Sequence, residues 1–211
     1  YWLHTGPLTI DEEKMSKSLG NFITIKDILK KYHPEVIRFY LFSTHYRNPL
    51  NFSFSGLDES KKILDKFYDA LRKVDTSNVK NVSLAEGVIQ SLKDDFNSPK
   101  LISFLHKTLD KLNKSLIKDK KESQSMANTL ISSGKVMGLF QSKPEEYFKF
   151  ISSEELISEK EIEDLIAQRN LARTEKDFSK SDKIRDDLKA KGISLEDLGD
   201  KTSWKRVNLE E

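Results

Sequence analysis

The sequence is poor in the residues that would fix a small extracellular fold or anchor the chain in a membrane. It has no cysteine, and only 8 glycines and 5 prolines in 211 residues. Neither a disulfide framework nor a cysteine-ligated metal site is therefore available. No apolar run approaches the roughly 20 residues that span a bilayer, and no signal peptide is visible. We expect a cytoplasmic protein without a membrane partner.

A strong net charge is also lacking. The 36 Lys and Arg residues nearly balance the 34 Asp and Glu residues, which leaves a net charge of +2. The chain as a whole is not basic enough to predict nucleic-acid binding, so any such binding must come from local basic patches. One such patch is residues 14–51, with seven basic and two acidic residues. An arbitrary pair of lysines in such a stretch is most often a solvated face.

Apolar residues at helical spacing fill most of the chain, and capping signals mark where helices begin. A Ser or Thr followed three residues later by an acid predicts helix starts at Thr24, Ser55, Ser83 and Ser158. We expect the first helix to end near Tyr32. Pro34 and Pro99 suit the first turn of two further helices. The Pro34 helix is apolar almost all round and should be buried to about residue 44. We predict a mainly α fold with an antiparallel helical bundle.

The last 54 residues carry the pattern of a small α+β module. One helix runs from 158 to about 175, a tight turn holds Asp177 and Phe178, and a second helix runs to about Lys191. Gly192 serves as its C-terminal stop. Alternating residues at 193–195 and 203–207 predict a terminal β-hairpin. At the other end, the chain opens on the strand-like letters Y-W-L-H-T-G without an initiator Met. We therefore expect a fragment of a longer protein.

The stretch E-E-K-M-S-K-S-L-G-N at residues 12–21 is far more particular than a charge pair. Its K-M-S-K-S resembles the signature loop of class I aminoacyl-tRNA synthetases. Amino-acid activation attacks the α-phosphate of ATP and expels pyrophosphate. Lysines that approach late stabilise the charge on the leaving group more than they stabilise bound ATP. Gly20 gives the loop freedom to move.

Further motifs narrow the resemblance to bacterial cysteinyl-tRNA synthetases over nearly the whole chain. In order, they are Y-W-L-H-T-G, N-F-I-T-I-K-D-I-L, V-I-R-F-Y-L, H-Y-R-N-P-L-N-F-S, D-D-F-N-S-P, and the terminal Q-R-N-L-A-R, S-D-K-I-R-D-D-L, G-I-S-L-E-D and T-S-W-K-R. The resemblance implies four parts. Residues 1–55 would be the end of a Rossmann-type catalytic domain with a stem-contact segment, 56–141 a helical bundle, 142–157 a connector, and 158–211 an anticodon-binding module.

The resemblance also implies an activity, which is the ATP-dependent ligation of cysteine to tRNA(Cys) through cysteinyl adenylate. Lys14 and Lys17 would be catalytic, and the ATP-binding residues would be Lys14, Met15, Ser16, Lys17 and Ser18. ATP would act with Mg²⁺, and the partners of a monomer would be tRNA(Cys), cysteine and ATP. The family's zinc ligands would lie upstream, so we assign no metal ligand in this chain, His4 included. We expect the 211 residues alone to be inactive.

The terminal module could read an RNA base. Arg169 and Arg173 share one helix face, and an Arg fork with a carboxylate can read guanine. The resemblance implies Arg173 and Asp182 for the guanine of a G-C-A anticodon, and Arg185 and Asp197 near the following bases. Phe178 or Trp204 would be the stacking platform. A purely structural interpretation has Asp182 capping a helix at 179–182 and Arg173 pairing with Asp177.

Two further motifs, and the function itself, each allow more than one interpretation. Tyr46 and Arg47 could form a packed hinge or contact tRNA. The residues D-D-F-N at 94–97 could cap the helices that meet there or hold a metal, and the sequence favours the caps. One rival function is a cysteine–amino-sugar ligase of thiol biosynthesis, which lacks an anticodon module. Another is a non-catalytic tRNA-binding module.

Overall fold

Helices dominate the computed structural model, as the sequence predicts, and two small sheets complete it. The structure describes residues 1–10, 13–15, 22–76, 83–150, 157–198 and 201–206, with only the backbone for Glu13, Lys14, Leu198 and Lys201. The chain divides into two units, Tyr1–Pro144 and Glu145–Glu211, each of which is described by itself below. The finer domain boundaries expected from the sequence stay predictions. None of the helices within the described ranges is long and apolar enough to cross a bilayer.

The first unit opens with a three-stranded sheet. Strand β1 (Leu8–Ile10) lies between β2 (Glu13–Lys14), which is antiparallel to it, and β3 (Leu50–Phe52), which is parallel to it. A parallel pair needs a long crossover between its strands. Here the crossover contains α1 (Ile25–Ile28) and α2 (Pro34–Phe42).

The two crossover helices begin where the sequence predicts. Thr24 caps α1 by accepting a hydrogen bond from the Asp27 amide, and Pro34 is the first residue of α2. Helix α1 is shorter than expected, because it ends at Ile28 and turns fill the chain as far as Tyr32. Helix α2 buries five residues, although Arg38 on its outer side is exposed.

Four helices build the bundle: α3 (Phe54–Leu71), α4 (Glu86–Lys93), α5 (Ser98–Ser115) and α6 (Lys120–Lys135). Its fully buried side chains include Leu57, Leu64, Phe67, Tyr68, Leu71, Leu101, Leu105, Leu112 and Leu130. Two capping predictions were wrong. Ser53, not Ser55, caps α3, and α4 follows Ala85 without any side-chain cap. In both places a Ser–acid spacing occurs within two or three residues of the true boundary, where spacing alone does not fix the start.

A buried carboxylate joins the crossover to the end of the bundle. Glu35, 4% exposed, accepts hydrogen bonds from the Tyr68 hydroxyl at 2.8 Å and from the amide of Phe140 at 2.7 Å. It also accepts from the amides of Gln141 and Ser142 at 2.9 and 3.2 Å. Three successive N–H groups converging on one anion form an amide nest. Phe140 has φ of +59°, and the carboxylate helps to hold this unusual backbone geometry.

Two half-buried histidines make the stability of the first unit depend on pH. Burial lowers the pKa of both His33 and His106 below their ordinary value of 6.5. The neutral ring is therefore favoured in the folded state, so its contribution to stability is present above pH 6.5 and is lost as the pH falls below it. The Nδ1 atom of His33 accepts the Glu35 amide and caps α2, and protonation removes that acceptor.

We expect the free energy of unfolding of the first unit to fall between about pH 8 and pH 5.5. In the His33→Asn protein the decrease should be smaller, because asparagine can cap the helix but does not titrate. Denaturant unfolding at a series of pH values measures this dependence. An unchanged pH dependence in the His33→Asn protein would contradict the role given to this ring.

The second unit packs two helices against a hairpin. Helix α7 (Pro144–Phe148) lies at the division of the chain and is followed by α8 (Glu159–Thr174), α9 (Phe178–Ala190), β4 (Ile193–Leu198) and β5 (Lys201–Arg206). The predicted connector thus includes a short helix. The core of the unit consists of Ile157, Ile162, Ile166, Ile184, Leu188, Ile193 and Trp204.

The helix signals of this unit are mostly confirmed. Ser158 and Glu161 form a reciprocal capping box, and Gly192 has φ of +74° directly after α9. The proposed cap at residues 179–182 was wrong, because Asp177 caps α9 by accepting the Lys180 amide at 3.0 Å. Asp182 is therefore an exposed residue inside α9.

Candidate functional site

The K-M-S-K-S stretch at residues 14–18 begins in the strand pair near the start of the chain. Lys14 in β2 pairs with Thr9 in β1, and Met15 comes next, half-buried. The side chain of Lys14 and the residues Ser16, Lys17 and Ser18 lie outside the described residues. The roles assigned to these five positions therefore stay predictions. The described residues end at Met15 after β2 and begin again at Phe22, just before Thr24, which caps α1.

Part of the basic patch at residues 14–51 is neutralised by nearby acids. Lys30 Nζ lies 2.8 Å from Asp27 Oδ1. Arg47 binds both carboxylate oxygens of Asp95, and the Tyr46 hydroxyl donates to the same group at 2.7 Å. These hydrogen bonds lower the pKa of Asp95 to about 2, and the bond from Arg47 has the largest effect.

This network decides how residues 94–97 act. Asn97 caps α5 by accepting the Lys100 amide at 3.0 Å. Asp95 instead holds Tyr46 and Arg47, which are 49 and 48 residues away in sequence. The structural interpretation of Tyr46 and Arg47 is thus supported by their shared partner Asp95. Both remain exposed enough at the surface to contact a ligand as well.

A second cluster of charges lies on the terminal unit, and we call it the arginine cluster: Arg169, Arg173, Asp197 and Thr202. Arg169 donates from Nη1 to Asp197 Oδ1 at 3.2 Å and from Nη2 to Oδ2 at 3.1 Å. Arg173 Nη1 lies 3.0 Å from the same Oδ2, and Thr202 Oγ1 donates to Oδ1 at 2.8 Å. These contacts lower the pKa of Asp197 far below its ordinary value. The hydrogen bond from Arg169 has the largest effect, and that from Thr202 the second largest.

Two segments of the chain match family models. Residues 1–62 match the model described as tRNA synthetases class I (C) catalytic domain, and residues 87–141 match the DALR domain. Curated relatives that share the whole chain agree with this. A cysteine–tRNA ligase of Methylococcus capsulatus is 40% identical over 212 residues, which cover 98% of this chain and 46% of the relative.

Ligases of the same name from Saccharophagus degradans and Legionella pneumophila are 43% and 42% identical. The alignments cover 98% of this chain in each case, and 45% and 44% of the relatives. The chain belongs to the cysteine–tRNA ligase family. It spans less than half the length of the relatives that it matches.

The other predicted anticodon residues of this ligase-family chain lie on α9 and the hairpin. Asp182 and Arg185 approach each other to 3.6 Å, and both side chains are more than half exposed. Phe178, the first residue of α9, is 63% exposed. A base could stack on such a ring. These residues are available for contact, and their roles stay predictions.

Trp204 requires a correction. Its indole is only 2% exposed, lies in the core of the terminal unit and donates to Glu163 Oε1 at 2.7 Å. A ring enclosed on both faces offers no surface to an RNA base, so Trp204 is not a stacking platform. The expected Arg173–Asp177 pair was also wrong, because Arg173 binds Asp197 and Asp177 caps α9.

Metal binding can be tested on the described residues alone. Across those ranges no group of three or more His, Cys, Asp or Glu side chains is placed to hold an ion. The described residues therefore do not fit the zinc ion that the resemblance implies, and we derive no step through zinc.

Proposed function

We propose that the protein containing this chain joins cysteine to tRNA(Cys) at the expense of ATP. The single observation that supports this most strongly is the K-M-S-K-S sequence at residues 14–18, which begins at Lys14 in β2 and lies within the segment that matches a class I catalytic domain. The cysteine–tRNA ligases that match the chain cover 98% of it, which includes most of the terminal unit that the cysteine–amino-sugar ligase lacks, and this favours a synthetase. We also propose the domain architecture that the sequence predicts. It consists of the end of a Rossmann-type domain with a stem-contact segment, a helical bundle and an anticodon-binding module.

The first step forms cysteinyl adenylate. A carboxylate oxygen of cysteine attacks the α-phosphorus of ATP, and the bond to the bridging oxygen breaks and releases pyrophosphate. Lys14 and Lys17 neutralise the charge that grows on the departing group. Ser16 and Ser18 add donors, and the backbone of Met15 lies near the adenine. Mg²⁺ accompanies ATP and shields the phosphates.

The second substrate is tRNA(Cys), a hydroxyl of which attacks the carbonyl carbon of cysteinyl adenylate, so that the acyl–phosphate bond breaks and AMP leaves. We propose that the terminal unit reads its anticodon, with Arg173 donating to the O6 and N7 of guanine and Asp182 accepting from N1 and N2. Phe178 stacks on an unstacked base, and Arg185 lies near the following base. The protein acts as a monomer in the cytoplasm.

Replacing Arg173 tests this assignment. In a complete synthetase, Arg173→Ala should lower the aminoacylation efficiency by about 5- to 150-fold, the range expected for losing one base-reading contact. Cysteine-dependent exchange between ATP and pyrophosphate should stay unchanged, because that step does not need the anticodon. Both rates are measured on the same preparation.

A matched control removes another positive charge from the same unit. Lys189→Ala, at an exposed site in the last turn of α9, should leave both reactions near the wild-type rates. If Arg173→Ala lowered exchange as much as aminoacylation, the anticodon assignment would be wrong. If it changed neither rate, Arg173 would not read the anticodon.

A further inference from the structure

One buried arginine of the terminal unit, Arg169, has no role in the base-reading scheme. Arg169 is 5% exposed, whereas arginines are almost never fully buried unless they are paired. Its two Nη groups both bind Asp197, and its buried Nε has no hydrogen-bond partner within the described part of the chain. Apolar residues can replace a buried ion pair without loss of stability. Stability alone therefore does not explain Arg169.

The partner of Arg169 has no free acceptor position. A carboxylate accepts about four hydrogen bonds. Oδ1 of Asp197 takes Arg169 Nη1 and Thr202 Oγ1, and Oδ2 takes Arg169 Nη2 and Arg173 Nη1. A base could bind this carboxylate only by displacing one of these donors. The resemblance implied that Asp197 lies near a base, but its described contacts are internal to the arginine cluster.

Arg173, in contrast, keeps donors for an outside ligand. Its contact with Asp197 uses one Nη group, and a guanidinium has five N–H donors in a fixed fork. Its side chain is about half exposed. A planar group held at one corner keeps a defined orientation for its remaining donors, which reduces the entropy lost when a base binds.

We propose that Arg169 and Asp197 are positioning residues that orient the guanidinium of Arg173 toward a guanine edge. Arg169 and Thr202 fix the carboxylate of Asp197, and the carboxylate fixes Arg173. Asp197 itself reads no base. The inference rests on the proposed anticodon function and names the residues on which the selectivity of Arg173 depends.

The test uses the 211-residue chain and short hairpin RNAs. One hairpin carries G-C-A in its loop, a second carries A-C-A, and a third carries G-U-A. Dissociation constants are measured by fluorescence anisotropy at one fixed salt concentration, because phosphate contacts make RNA affinity depend on salt. Wild type should prefer the first hairpin over the second by about tenfold or more.

The informative variants keep shape and change the hydrogen bonds. Asp197→Asn and Arg169→Lys should each reduce the preference for G over A to about twofold or less, while the affinity for A-C-A stays within about threefold. Selectivity between G-C-A and G-U-A should not change. A purely structural defect would weaken all three hairpins alike. If Arg169→Lys does not fold, Asp197→Asn carries the test, since Asp197 is 41% exposed.

The adjacent acid supplies a matched control. Glu196→Gln removes a carboxylate that pairs with Lys205 at 2.7 Å, and it should leave all three affinities unchanged. Undiminished preference for G in Asp197→Asn would overturn the inference. Loss of selectivity at the second base would also overturn it, because Asp197 would then read that base directly. If wild type showed no preference for G, the anticodon function would fail and this inference with it.

Discussion

A complete synthetase with Lys17→Ala should form cysteinyl adenylate about 100- to 1,000-fold more slowly than wild type. Removing one preorganised donor from a developing oxyanion has effects of this size. The loss should fall on kcat of activation more than on the KM for ATP, since the lysine stabilises the departing pyrophosphate more than the bound nucleotide. Exchange between ATP and labelled pyrophosphate measures it.

The control for this prediction is another lysine close in sequence. Lys26 on α1 is exposed, and Lys26→Ala should keep the wild-type rate of exchange. The affinity for tRNA should be nearly the same in both variants, because a loop that acts on phosphates of ATP does not hold the tRNA. Wild-type activation by Lys17→Ala would remove the role assigned to the loop.

Glu35→Ala should destabilise the first unit by about 3–5 kcal/mol. The change leaves one hydroxyl and three amides without their acceptor, and hydrogen bonds to a charged group contribute about 1.5–3 kcal/mol each, although such losses are not additive. Phe140, with its positive φ, would also lose the group that holds it. The free energy of unfolding of Glu35→Gln should lie between those of Glu35→Ala and wild type, since an amide oxygen can accept some of these hydrogen bonds.

The effect is measured by hydrogen exchange, which reports the two units separately. Amides of α2 should exchange faster in Glu35→Ala, while those of α8 and α9 in the second unit should keep their rates. Glu59→Gln, an exposed acid on α3, should change stability by less than about 0.5 kcal/mol. Unchanged protection of α2 in Glu35→Ala would show that the buried carboxylate contributes little.

Local signals predicted local structure well. The caps at Thr24 and Ser158, the first-turn proline at Pro34 and the stop at Gly192 all occur where the sequence indicates them. Each depends on residues within one turn of the boundary, so neighbouring letters are sufficient to find it. Where two candidate caps lie close together, as at Ser53 and Ser55, backbone geometry decides, and the sequence does not contain it.

Long-range partners were not predictable. Nothing near Glu35 indicates that it accepts from amides about 105 residues later. An acid in the first turn of a helix is normally explained by the helix dipole alone. Asp95 likewise resembled a local cap and instead binds a pair of residues 48 and 49 positions earlier. Such contacts depend on how distant helices pack.

The arginine cluster lies between these two cases. Strand alternation puts Asp197 on the same face of β4 as Ile193 and Leu195, and their partners across the hairpin are Thr202, Arg206 and Trp204. With the helix spacing of Arg169 and Arg173, this alternation could have indicated that Asp197 faces α8 and that Trp204 is buried. Trp204 belongs to the same expected module as the two arginines, which suggested a stacking platform for a base, but its ring packs in the hydrophobic core instead.

The proposed chemistry depends on Lys14 and Lys17 meeting the pyrophosphate as the adenylate forms. A structure of the complete synthetase bound to a cysteinyl-adenylate analogue and pyrophosphate measures this without an intermediate step. We expect both Nζ atoms to lie about 3 Å from pyrophosphate oxygens. The proposal is wrong if, with both ligands in place, the two ammonium groups face bulk solvent and other residues hold the pyrophosphate.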